Sequence, residues 1–92
     1  MIKSFRNRDL ERLWKFGHQV PQKTLEARSI LRVVDAINVA SLPYDVAFSG
    51  NRFDEWTEND QQRYGAMISD HWLVSFSWRE GHAVDVDLER LD

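Results

Sequence analysis

The chain has 92 residues, 42% of them hydrophobic and 29% charged, with a net charge of −3, which is the profile of one small globular domain and excludes a disordered or fibrous chain. It holds no cysteine, which excludes disulfides, thiolate metal sites and cysteine nucleophiles. The acidic balance argues against a chain-wide phosphate-binding surface, because nucleic-acid binders usually carry a basic excess.

Residues 1–5 read as a short strand with Ile2 and Phe5 as its apolar members. The opening Met1-Ile2-Lys3-Ser4-Phe5-Arg6 lacks the apolar run of a signal peptide. No stretch approaches the roughly 20 apolar residues of a membrane helix, so a cytoplasmic location is expected. A first helix is predicted over 7–16: Asn7 suits the N-cap, Asp9 and Glu11 the first turn, and Gly17 the stop. Leu10, Leu13 and Trp14 form its apolar stripe. Pro21 suits the start of a second helix over about 22–40. There Leu25, Ile30, Leu31, Val34 and Ile37 follow helical spacing, with Arg28, Arg32 and Asp35 outward, and Pro43 ends the run. The two make a helical hairpin. Residues 41–62 read as an irregular loop punctuated by Pro43, Gly50, Asn51, Asn59 and Asp60, with Phe48, Phe53 and Trp56 packing down on the core.

The last third carries the clearest pattern. Trp72, Val74, Phe76 and Trp78 alternate with Leu73, Ser75, Ser77 and Arg79, a strand with one apolar face. Glu80-Gly81 supplies a turn, and Val84, Val86 and Leu88 alternate with Asp85, Asp87 and Glu89 in a second strand. Upstream, Tyr64, Ala66 and Ile68 form a further strand that turns at Ser69-Asp70. The expected fold is a single α+β domain over 1–92 in the order β-α-α-β-β-β, the helical hairpin packed on a C-terminal antiparallel meander.

This layout resembles the HigB-type killer proteins of the RelE/ParE toxin superfamily. The resemblance rests on the opening Met1-Ile2-Lys3-Ser4-Phe5, on Trp72 with the apolar alternation to Phe76 and Trp78, and on Glu80-Gly81 with Asp85-Val86-Asp87-Leu88. It implies the toxin of a two-gene toxin–antitoxin module, with a co-encoded helix-turn-helix antitoxin as partner and ribosome-bound mRNA as target. Active members cut mRNA without metal or cofactor, using basic and hydrogen-bonding side chains around the scissile phosphate. Here the expected arginines fall on Leu73 and Met67, the histidine and lysine of the loop on Asp54 and Thr57, and the C-terminal Tyr-His pair on Leu91 and Asp92. Leucine donates no hydrogen bond, and aspartate repels phosphate.

Among the residues present, His71, Arg63 and Arg79 are the candidates for catalysis. His71, at the turn before the Trp72 strand, suits a general acid, against an exposed turn histidine. Arg63, Arg79 and Arg90 suit phosphate contacts, against surface ion pairs, the more frequent role. His18 and His82 read as a helix-end and a hairpin histidine. Asp85, Asp87, Glu89 and Asp92 read as a cation site or, more commonly, a solvated face. The basic residues of the helical layer, Arg6, Arg8, Arg12, Lys15, Lys23, Arg28 and Arg32, suit an acidic partner or a solvated face. The four tryptophans suit base stacking or, for three of them, the core, with Trp56 in the polar loop as the one whose exposure distinguishes the two. No Gly-rich phosphate loop, Ser-His-Asp order or HExxH motif is present. Three functions follow: an mRNA interferase with a rebuilt site, a toxin-fold binding protein that pairs with or titrates an antitoxin, and a gyrase-directed ParE-like toxin.

Overall fold

The computed structural model describes residues 1–19 and 22–91. Helix α1 (Arg8–Phe16) begins where the Asn7 side chain accepts the N–H of Leu10 at 3.0 Å, as its N-cap position predicts. Gly17 ends it in a right-handed conformation, φ −66° and ψ −21°. The glycine therefore serves close packing: a Cβ there would lie 3.0 Å from Leu13 Cδ1. Helix α2 (Leu25–Val39) starts later than the spacing suggests, because Thr24 Oγ1 accepts the Ala27 N–H at 3.0 Å and sets the cap. The expected opening residue, Pro21, lies outside the described residues. Ile30, Leu31, Val33, Val34 and Ile37 are buried, while Leu25 is exposed on the first turn. The helix ends before Pro43, which opens a 3₁₀ helix over Pro43–Ser49. The Asp45 carboxylate accepts the N–H groups of Ser41 and Leu42, both at 2.9 Å.

Four strands follow, β1 (Phe53–Glu58), β2 (Gln61–Met67), β3 (Trp72–Arg79) and β4 (His82–Arg90), an antiparallel sheet in sequence order. Strand β1 overturns the expectation of an irregular 41–62. Its two faces read Phe53-Glu55-Thr57 and Asp54-Trp56-Glu58, so neither is consistently apolar and the period of two is hidden. Asn59 and Asp60, read as loop punctuation, form the two-residue hairpin turn between Glu58 and Gln61 with φ of 51° and 62°. Glu80 and Gly81 do the same between Arg79 and His82, with φ of 52° and 83°. Both φ angles positive is the primed turn that matches strand twist.

Residues 1–5 do not make a full strand. Ile2 and Phe5 form isolated parallel bridges to Ala83 and Val86, and the N–H groups of Lys3 and Arg6 donate to Ala83 and Val86 carbonyls at 2.8 Å. This strap lies along β4. The helices cover one sheet face, where Leu10, Val33, Val34, Ile37, Val74, Phe76 and Val86 form the core. A chain of rings, Tyr44, Phe53, Tyr64, Phe76 and Trp78, crosses that face with centroids 5.5–6.4 Å apart. Trp14 and Trp78 pack on the core as expected. Trp72 instead lies half-buried with the Arg90 guanidinium 5.5 Å from its ring centroid. The Phe48 side chain lies outside the described residues. No helix among them is long and apolar enough to cross a membrane.

Candidate functional site

The opposite sheet face carries the site. Strand alternation and register place Asp54, Trp56, Arg63, Gly65, Met67, Leu73, Ser75, Ser77, Asp87 and Glu89 on it. A recess of about 450 Å³ opens there, lined by Arg52, Asp54, Trp56, Met67, Leu73, Glu89 and Leu91. Two of the lining side chains, Trp56 and Leu73, close over Gly65. A Cβ at Gly65 would lie 2.7 Å from Leu73 Cδ1 and 3.0 Å from Trp56 Cη2. Of the six positions where the resemblance implies catalytic side chains, Asp54, Met67, Leu73 and Leu91 line the recess. Thr57 points to the other face and donates to Gln62 Oε1 at 3.4 Å. Asp92 lies outside the described residues.

Arg52 Nε faces Asp54 Oδ2 at 3.4 Å, and Glu89 accepts a short hydrogen bond from the Ser75 hydroxyl. Two carboxylates thus stand against one guanidinium. Apolar atoms of Trp56, Met67, Leu73 and Leu91 supply the rest.

Arg63 corrects the reading of a surface ion-pair residue. It is fully buried, with Nη1 donating to Ser77 Oγ at 3.1 Å and to the Asp85 carbonyl at 3.0 Å, and Nη2 to Ser75 Oγ at 2.8 Å. Burial lowers its pKa and the Arg6 charge adds to that, while Glu89, Glu58 and Asp87 act in the opposite sense. Its donors point into the sheet and hold the bulge at Asp85, a residue with φ of 52° whose N–H is bound by Ser4 Oγ at 2.9 Å. Sequence alternation marks Ser75 and Ser77 as a solvent face. The structure buries both, because a central strand is covered on each side and a guanidinium satisfies their hydroxyls.

The three candidate residues are not brought together. His71 is exposed in the turn before β3, its carbonyl accepting the Leu91 N–H at 2.7 Å beside the recess. Arg79 is exposed at the other end of β3, about 25 Å away along the strand. His82 is half-buried, with Nδ1 enclosed and without a hydrogen bond. The acidic residues of β4 diverge: Asp85 sits in the bulge, Asp87 faces Arg6 at 3.9 Å and Glu89 binds Ser75. Among the described residues no three carboxylates or imidazoles converge on a cation position. On the helical layer, Arg12 and Lys15 pair with Asp9 and Glu11 at 4.0 and 3.0 Å.

Sequence reasoning missed a second polar cluster, between the helices. Asp35 accepts the Trp14 indole N–H at 2.9 Å and lies 3.1 Å from His18 Nε2, while His18 Nδ1 lies 2.9 Å from the Trp14 carbonyl. The signal was available in part: Trp14 and His18 are four residues apart, and the 3₁₀ turn Gly17–Gln19 that follows α1 carries His18 back over the last helical turn. No protein-family model matches the chain, and no curated protein matches it.

Proposed function

We propose that the chain is the toxin-fold component of a toxin–antitoxin module, a RelE/ParE-like protein of the HigB branch. In this reading it works in the cytoplasm by binding a co-encoded antitoxin and does not cleave mRNA. The observation that carries the reading is the lining of the recess. Metal-free phosphodiester cleavage requires hydrogen-bond donors aimed at the charge that develops on phosphate and a proton shuttle within reach. The recess offers Leu73, Met67 and Leu91, which donate nothing, Asp54 and Glu89, which repel an anion, and one guanidinium, Arg52, which faces Asp54 at 3.4 Å. The guanidinium beneath, Arg63, is buried with both terminal nitrogens engaged. The α+β layout, with a helical hairpin on one sheet face and a groove on the other, accords with the toxin-like architecture.

Controlled expression with and without the neighbouring helix-turn-helix gene tests this. Stable co-purification of the two proteins is expected, with transcripts remaining intact whether or not the neighbour is present. Ribosome-dependent transcript cleavage would overturn the non-cleaving reading, and failure of the two proteins to associate would remove the module.

A further inference from the structure

The recess combines three things that a side chain with an apolar stem and a cationic head requires. Met67, Leu73 and Leu91 offer aliphatic contact along its walls, suited to the methylene stem of lysine or arginine. Trp56 presents an indole held against Gly65, with Trp56 Nε1 3.5 Å from Glu58 Oε1, and an aromatic face attracts a cation. Asp54 and Glu89 flank the opening, against the single guanidinium of Arg52.

Building on the binding reading above, we propose that this recess receives an arginine or lysine side chain from an extended basic segment of a partner protein. Charge complementarity selects that occupant. The described lining presents two carboxylates and the Arg52 guanidinium; Arg63 beneath offsets part of the Glu89 charge but is buried with its terminal nitrogens bonded to Ser75, Ser77 and the Asp85 carbonyl, so it presents no donor to the recess. The nearby Arg6 is shared between Glu58 at 3.6 Å and Asp87 at 3.9 Å, so it is not turned to the recess alone. A purely apolar occupant would take the Asp54–Arg52 pair and Glu89 further from water and add no hydrogen bond in return. A phosphate or an acidic side chain would meet both of them as like charges. Arginine suits the site better than lysine, because its planar fork stacks on indole while bonding a carboxylate in the same plane. Glu89 is already oriented by the Ser75 hydroxyl, so less rotamer freedom is lost when a cation docks.

The test is a titration of the full chain with acetylated tripeptide amides, Ala-Arg-Ala, Ala-norleucine-Ala and Ala-Glu-Ala, and with a short single-stranded RNA. The readouts are the NMR signals of the Gly65 and Leu73 amides and the Trp56 indole, the last assigned with Trp56→Phe. The arginine peptide is expected to move those three signals and to bind about tenfold more tightly than the norleucine peptide, the sum of an exposed ion pair and a cation–π contact. Asp54→Asn with Glu89→Gln abolishes that preference, and Trp56→Leu weakens arginine binding by about threefold. Because Glu89 touches the buried Ser75 network, Asp54→Asn alone is measured as well; it lies on the exposed rim and is expected to halve the preference or more. Equal binding of the norleucine peptide, tighter binding of RNA or the glutamate peptide, or shifts confined to other surfaces would each overturn the proposal. An antitoxin affinity unchanged in the Asp54→Asn and Glu89→Gln chain, measured by titration, would sink the socket while leaving the module intact. Transcript cleavage by a chain whose recess still selects arginine would sink the non-cleaving reading and leave the socket.

Discussion

Arg63 has no route to water: both its terminal nitrogens are bonded to Ser75, Ser77 and the Asp85 carbonyl, and three carboxylates lie in its field. Truncating it leaves two buried hydroxyls and a bulge carbonyl without a donor and strips Glu89, Glu58 and Asp87 of their compensating charge. Arg63→Met is therefore expected to lose about 3–5 kcal/mol, the cost of breaking a buried charge network from one side. Arg63→Lys keeps the charge but cannot reach three acceptors with one ammonium, so an intermediate loss of about 1–3 kcal/mol is expected. Urea unfolding of the two variants checks the order. A residue that served only as a surface cation would give no measurable difference between Met and Lys beyond salt-dependent tenths.

Among the elements, the helical hairpin carries a pH-dependent tie. Both ring nitrogens of His18 face acceptors, the Trp14 carbonyl and the Asp35 carboxylate, and only the doubly protonated ring can donate to both. The hydrogen bond to Asp35 raises the His18 pKa above its usual value, helped by the Trp14 carbonyl and the Asp35 charge and opposed by desolvation. A raised folded-state value means the tie is fully present below the unfolded imidazole pKa of about 6.5 and is lost as pH rises through the higher folded value. Thermal unfolding across that range is expected to show the wild-type midpoint falling with rising pH. In His18→Gln the same interval should be flatter; an unchanged slope would mean that the tie contributes nothing. The α2 cap belongs to the same scale. Thr24 was legible as a capping residue type, yet Pro21 drew the expected boundary upstream, because a helix start is decided by which side chain meets the free N–H groups.

At the scale of the molecule, the strap of residues 1–5 closes the sheet on one side. It covers the β4 edge with parallel bridges and is anchored at the other end by the Ile2 N–H donating to Asn38 Oδ1 at 3.0 Å. The outermost strand on the other side, β1, bears Asp54, Glu55 and Glu58, charges of the kind that discourage edge-to-edge pairing. Removing residues 1–5 is expected to cost about 2–4 kcal/mol through lost Ile2 and Phe5 burial. It also bares the β4 edge, so sedimentation should reveal concentration-dependent association. A truncated chain that stays monomeric with an unchanged unfolding midpoint would show that the strap is dispensable.

The two helices, the apolar face of β3 and the Glu80-Gly81 hairpin were readable from residue order alone, since each rests on periodicity and turn chemistry within a dozen residues. The resemblance, and not residue order, implied that Asp54, Met67, Leu73 and Leu91 share one cleft, and these four do line one recess. Strand β1, the burial of Ser75 and Ser77 and the inward turn of Arg63 were decided only by tertiary structure. Each depends on groups brought from distant parts of the chain: β1 on a register with β2, the serines on a guanidinium 12 and 14 residues away, and Arg63 on the Asp85 carbonyl 22 residues on. A polar residue shows its type in the sequence, but whether it meets water or a buried partner is set by the packing that surrounds it.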